Sequence, residues 1–250
     1  MSYAEAIISG IVQGLTEFLP ISSSGHLVIL HHYFGYKEPK ILFDIFLHVA
    51  TLFAVLVYFR RDIINMIRDK HRLLVFVAVG SIPTAMVGYL CHDAFEFFFS
   101  QVKVIGAMLI VTAIFLIGGE LVARKYSQSN KSLDWLKALS IGFMQGFSIM
   151  PGISRSGATI SAGLFLGLKK EEAVRFSFFL SIPAIIGALL FKLGDGAAKV
   201  VITLPILAGG ICAFLVGLLA IYLLIKAVLG NKLKYFAIYC ILAGGAILIL

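Results

Sequence analysis

The sequence predicts an all-α polytopic membrane protein, a single membrane domain over residues 1–250 made of two inverted repeats. Three observations carry this. Hydrophobic residues make up 60% of the chain and the mean hydropathy is +1.00. Charged residues reach only 14%, where a soluble domain has about a quarter. The apolar runs are also far longer than barrel strands and do not alternate with polar residues, which leaves helices as the spanning element.

Six runs have the length needed to cross about 30 Å of hydrocarbon: 43–59, 73–91, 102–122, 173–191, 205–226 and 234–250. Two further stretches, 4–33 and 134–168, are mostly apolar but are interrupted midway by Pro, Gly and Ser. Each reads as two short helices joined by a polar break, a re-entrant hairpin.

The two interrupted stretches resemble each other. With a shift of 132 residues, Gly10, Gln13, Gly14, Ile21, Ser22, Ser24 and Gly25 meet Gly142, Gln145, Gly146, Ile153, Ser154, Ser156 and Gly157. Gly35 also meets Gly167, and three spans follow each copy. This predicts an internal duplication with halves of about 1–125 and 132–250. An odd number of spans after a hairpin that enters and leaves on one side inverts the second half relative to the first. Under that topology loops 60–72, 123–137, 168–172 and 226–234 share one side and carry fourteen Lys and Arg, against five on the other. The positive-inside rule then puts the basic side in the cytoplasm and the N-terminus outside. Inverted repeats with broken helices place a site where the two breaks meet near the midplane.

The net charge of +8 therefore reflects topology and does not point to nucleic acid. The run Arg60–Arg72 is a cytoplasmic signal within reach of anionic lipid. Phe95–Phe99 are expected at the outer interface. Cys91, Cys212 and Cys240 form no CxxC or metal spacing and read as small buried hydrophobes. Residues 1–19 hold two acids and no basic segment, so no cleavable signal peptide is expected.

The chemistry-bearing residues gather at the two breaks. Ser22, Ser23 and Ser24 precede one short helix, and Ser154 and Ser156 precede the other. Serine caps helix N-termini, and a helix start attracts anions. Arg155 adds a fixed cation with a fork suited to phosphate, and an arginine at membrane depth requires a partner. Glu17 follows Gln13 by four residues, so both occupy one helix face before the first break. A carboxylate there is open to three roles: pairing with Arg155, holding a divalent cation, or acting as acid or base. His26, one turn into the next helix, is open to service as nucleophile, acid, base or core histidine. His31 and His32 are expected near the hairpin mouth, at the interface. Asp44 and His48 share a face that could turn to the site, with metal ligation or support as possible roles.

At these residues the chain resembles the undecaprenyl-pyrophosphate phosphatase family of bacterial membranes. The matching segments are Gln13-Gly-Leu-Thr-Glu17-Phe-Leu-Pro-Ile-Ser-Ser-Ser-Gly-His26 and Pro151-Gly-Ile-Ser-Arg-Ser-Gly-Ala-Thr159. The resemblance implies removal of the terminal phosphate from a C55 polyprenyl diphosphate at the outer face of the bacterial plasma membrane. It implies recycling of the lipid carrier for peptidoglycan and other envelope polymers, and bacitracin resistance when the protein is abundant. By motif position Glu17, Ser23, His26 and Arg155 are catalytic. Gln13, Ser154 and Thr159 bind the diphosphate, alongside Ser22, Ser24 and Ser156 as polar groups of the tips. A divalent cation, Mg²⁺ or Ca²⁺, is implied on Glu17, with no organic cofactor. Gln13 departs from members that have Glu there, which weakens any two-carboxylate metal site unless Asp44 compensates. The expected partners are the lipid substrate and membrane lipid; a homodimer is compatible with a sequence that does not fix oligomeric state. The competing reading is a transporter or flippase of polyprenyl phosphate, because paired re-entrant hairpins recur in secondary transporters. A third, a structural scaffold, gives buried Glu17 and Arg155 no purpose.

Overall fold

The computed structural model describes residues 1–36, 41–69, 71–99, 101–125, 131–194 and 203–249. Within the charge pattern, Lys37, Lys40, Lys70 and Lys199 lie outside the described residues, as do the side chain of Lys192 and Leu250 of the last span.

The described residues form twelve helices in chain order. They are α1 Tyr3–Phe18, α2 Ser23–Tyr33, α3 Ile41–Tyr58, α4 Arg60–Arg68, α5 His71–Leu90, α6 His92–Phe99, α7 Val102–Lys125, α8 Trp135–Phe147, α9 Arg155–Phe165, α10 Lys170–Gly194, α11 Leu204–Leu229 and α12 Leu233–Ile249. Helices α5, α7, α10 and α11 are long and apolar enough to cross a membrane, and α12 is a 17-residue apolar helix. Helix α3 bends by 70° into α4. The stretch read as a charged loop after residue 60 is thus largely a short helix, with Arg60, Arg61 and Arg68 on its polar side and Met66 buried.

The interrupted stretches become the pairs α1–α2 and α8–α9. Helices α2, α8 and α9 have 11, 13 and 11 residues. At 1.5 Å per residue they rise about 16–20 Å, short of a crossing. Each pair packs limb against limb, α1 on α2 and α8 on α9. Local chemistry starts the outer limbs. Ser2 and Glu5 form a capping box at α1, with Glu5 N donating to Ser2 Oγ at 3.2 Å and Ser2 N to Glu5 Oε2 at 2.7 Å. Asp134 caps α8 by accepting from Lys137 N at 2.9 Å and also pairs with Lys137 Nζ. The Lys137 ammonium and backbone bonds hold the Asp134 carboxyl below the usual carboxylate range.

Glycines let the helices meet. Helix α1 packs on α11 and α8 packs on α5. A Cβ at Gly10 would lie 2.1 Å from Gly209 O, and one at Gly142 would lie 1.9 Å from Gly80 O, so both crossings require bare backbone. Helices α7 and α12 cross in the same way at Gly106 and Gly244. The ends of α1 and α3 are joined to the first half of α10 by rings: Phe18 to Phe178 at 5.7 Å, Phe59 to Phe178 at 5.0 Å and Phe59 to Phe179 at 5.7 Å. Such pairs add to the burial of large apolar side chains.

Three small expectations change. Cys91 is exposed and Cys212 half-buried, and only Cys240 sits in the core. Phe95 is buried while Phe97 is exposed, as a short helix with two faces requires. His31 is buried beside Asp44 and so is not an interfacial residue.

Candidate functional site at the helix breaks

The breaks at Leu19–Ser22 and Ser148–Ser154 touch. A Cβ at Gly157 would come within 3.2 Å of Pro20 Cβ, and one at Gly25 within 3.6 Å of Gly152 Cα. The second break is pinned by Thr112 of α7. Its hydroxyl donates to Gly152 O and accepts from Ser154 N, each at 3.0 Å. Gly152 has φ +94, and its ideal Cβ would meet Ile105 O at 2.5 Å, so only glycine passes there.

Glu17 is the hub. Gln13 Nε2 donates to its Oε2 at 3.1 Å from one turn earlier on α1. Ser23 Oγ donates to the same oxygen at 2.7 Å from the first turn of α2. Arg155 Nη2 donates to Oε1 at 2.6 Å from the start of α9. His48 Nε2 of α3 stands 3.5 Å from Oε2. The Glu17 and Arg155 side chains are 6% and 16% exposed, so this is a largely desolvated pair. Gln13 Oε1 and Arg155 Nη1 are buried with no hydrogen-bond partner among the described residues. An acceptor and a cationic donor are thus both unsatisfied at one place, where buried polar groups are nearly always paired.

The remaining sequence candidates divide. Ser154 caps α9 through Gly157 N at 3.1 Å and lies 3.2 Å from Ser156 Oγ; both serines are buried. Ser22 stands at the N-cap of α2 but makes no side-chain cap bond. Its hydroxyl lies 3.4 Å from Ser24 Oγ in the first turn of α2, and its backbone takes φ +70, in the left-handed region. Thr159 bonds to Arg155 O at 2.8 Å and to Ser177 Oγ of α10 at 2.6 Å, fixing the turn that carries Arg155. His26 is hydrogen-bonded to Ser22 O through Nδ1 and to Tyr239 Oη through Nε2.

Asp44 does not join Glu17. Its Oδ1 lies 3.5 Å from His31 Nε2, and its carbonyl takes the Nδ1 proton of His48 at 2.7 Å. Of the two residues on that face, it is His48 that reaches the site. Among the described residues no group of three His, Cys, Asp or Glu side chains is placed to hold a metal. Thr112, Ser177 and Tyr239 were not legible in the sequence, since each is one polar residue in an apolar run and gains its role only from a partner on another helix.

Known proteins place the chain. It is 44% identical to an undecaprenyl-diphosphatase of Syntrophotalea carbinolica over 98% of this chain and 97% of the relative. It is 43% identical to an undecaprenyl-diphosphatase of Halothermothrix orenii, covering 100% and 98% of the two. Identity to an undecaprenyl-diphosphatase of Methanococcus vannielii is 42%, over 96% and 97%. The family model described as bacitracin resistance protein BacA matches residues 6–246, with both helix breaks and the Glu17–Arg155 pair inside it, and this chain belongs to that family.

Proposed function

We propose that this multi-pass membrane protein hydrolyses undecaprenyl diphosphate, or a closely similar polyprenyl diphosphate, to the monophosphate and inorganic phosphate. The observation that carries the reading is the buried Glu17–Arg155 pair between the two breaks, with Arg155 Nη1 and Gln13 Oε1 left without partners among the described residues. A binding module would be served by a cation and helix starts alone. Here a hydroxyl, Ser23 Oγ, also directs its proton at a carboxylate, which is the arrangement of a nucleophile and its base.

The chemistry assigned to the chain's residues follows. The terminal phosphate sits at Arg155 and the start of α9, where the guanidinium fork and helix dipole offset its charge. Ser23 Oγ attacks the terminal phosphorus as its proton passes to Glu17. The bond from phosphorus to the bridging oxygen breaks, and polyprenyl monophosphate leaves. Water then attacks the phosphoserine, its proton passing to His26 Nε2 as the Tyr239 phenol yields that lone pair to the incoming water. The P–Oγ bond breaks, Ser23 recovers its proton from Glu17, and inorganic phosphate departs. Gln13 Oε1 and the Glu17 carboxylate are oxygen donors that suit Mg²⁺ or Ca²⁺, and a site with one carboxylate completed by substrate phosphate and water is an ordinary mode for Mg²⁺. Such a cation supplies further charge neutralisation on the phosphate oxygens. Asp44, turned to His31, is not among its ligands.

The same reading takes α1–α2 and α8–α9 as re-entrant hairpins of two inverted halves, about 1–125 and 132–250. It is supported by the crossed packing of α1 on α11 and α8 on α5, through the matched glycines Gly10 and Gly142. The excess of basic residues on the loops of one side supports a plasma-membrane protein whose site opens outward and whose N-terminus is outside. The transporter alternative gains no observation of its own.

Phosphate release from a C55 or C15 polyprenyl diphosphate by purified protein in detergent tests the proposal, with Mg²⁺, with Ca²⁺ and with EDTA. Metal-dependent release that is lost in Ser23→Ala and Arg155→Ala is the expected result. No release from a folded sample under either metal would refute it, because an enzyme needs no two-sided membrane.

A further inference from the structure

We infer that Tyr239 of α12 is a positioning residue for His26, fixing the imidazole tautomer from the opposite half of the chain. The inference rests on the phosphatase reading above, with His26 as a proton-transfer group. His26 Nδ1 lies 2.7 Å from Ser22 O. A carbonyl oxygen only accepts, so Nδ1 carries the hydrogen. In the neutral ring Nε2 is then the atom with the lone pair. Tyr239 Oη stands 2.6 Å from Nε2 and is the donor of that bond. The two rings also stack, with centroids 5.7 Å apart and planes 18° from parallel. Tautomer, ring plane and direction of the lone pair are thus set before substrate arrives.

Both ends of this clamp are held. Ser22 adopts φ +70 and ψ 96, a conformation that a side chain-bearing residue rarely takes and that persists only where its surroundings enforce it. The consequence is a carbonyl that serves both His26 Nδ1 and His26 N, the latter at 3.3 Å. On the other side, the next residue along α12, Cys240, is fully buried with its thiol 3.7 Å from Pro20 O. Helix α12 therefore touches the first break twice, at the backbone before Ser22 and at the histidine after it. Tyr239 itself is 42% exposed, so its ring is not retained by the demands of core packing.

Tyr239→Phe keeps the stacked ring and removes only the phenol. The assay is phosphate release from a C15 polyprenyl diphosphate, read as kcat and KM. It is paired with the ¹⁵N resonances of His26 in histidine-labelled protein and the unfolding midpoint in detergent. Expected are a fall in kcat of about 10- to 100-fold, by analogy with the loss of the hydrogen-bond partner that orients a metal-bound histidine, a KM within twofold, an unchanged midpoint and a displaced Nε2 resonance. His26→Ala is the reference. If His26→Ala is inactive while Tyr239→Phe keeps wild-type kcat, the Tyr239 assignment alone is overturned. If His26→Ala turns over normally, the reading beneath it is overturned. A loss in Tyr239→Phe that comes with an unmoved resonance or a lowered midpoint marks a structural role and also overturns the inference.

Discussion

Removing Arg155 separates what the buried pair does for stability from what it does for the reaction. Arg155→Ala leaves Glu17 at 6% exposure without its 2.6 Å partner. Breaking a buried pair from one side costs about 3–5 kcal/mol, because the surviving charge stays desolvated. Glu17 keeps its bonds from Ser23 at 2.7 Å and Gln13 at 3.1 Å, with His48 at 3.5 Å, so the lower end, about 3 kcal/mol, is expected. Replacing both partners by uncharged residues of similar size, Arg155→Met with Glu17→Gln, removes the orphaned charge and restores most of that stability. Turnover behaves differently. Loss of one group that stabilises the developing phosphate charge lowers kcat by about 10²–10³, and the double variant stays inactive. Denaturant unfolding in a fixed detergent gives the first quantity and phosphate release the second. A single variant as stable as the wild type would refute the account of Glu17 as a carboxylate that depends on Arg155. A double variant no more stable than the single one would refute the claim that orphaned charge is the cause.

Two further outcomes follow from the packing. Thr112→Val removes the hydroxyl that bonds Gly152 O and Ser154 N, leaving buried backbone groups unpaired; a loss of about 1–3 kcal/mol and a raised KM are expected, checked by the same two assays. Gly142→Ala forces a methyl group to within 1.9 Å of Gly80 O; separation of α5 from α8 and a loss of about 1–3 kcal/mol are expected in unfolding, whereas an unchanged midpoint would mean that the crossing is looser than described.

The apolar runs and their interruptions belong to the sequence. Length and hydropathy are summed along the chain, so the long helices α5, α7, α10 and α11 lie close to their expected bounds. The breaks were legible because Pro, Gly and Ser cluster there within seven residues, whereas the lone Pro83 and Pro183 stay inside α5 and α10, and of the motif residues Glu17, Ser23 and Arg155 are brought together. The helix α4 was not, since the five basic residues between 60 and 72 read as a loop and masked the apolar Ile63, Ile64, Met66 and Ile67 among them. What only the tertiary structure decided is which groups meet. Glu17 and Arg155 stand 138 residues apart, and a hydrogen bond between them depends on helices that cross through bare glycine backbone. Asp44 and His48, neighbours on one face, point to different partners, because one turn of helix is enough to send one to His31 and the other to Glu17. Tyr239 reaches His26 across 213 residues. Local sequence records which residues bear chemistry and how far a helix extends; the partner of a buried polar group is set by three-dimensional packing, since at membrane depth a group without water must take whatever donor or acceptor the neighbouring helix presents.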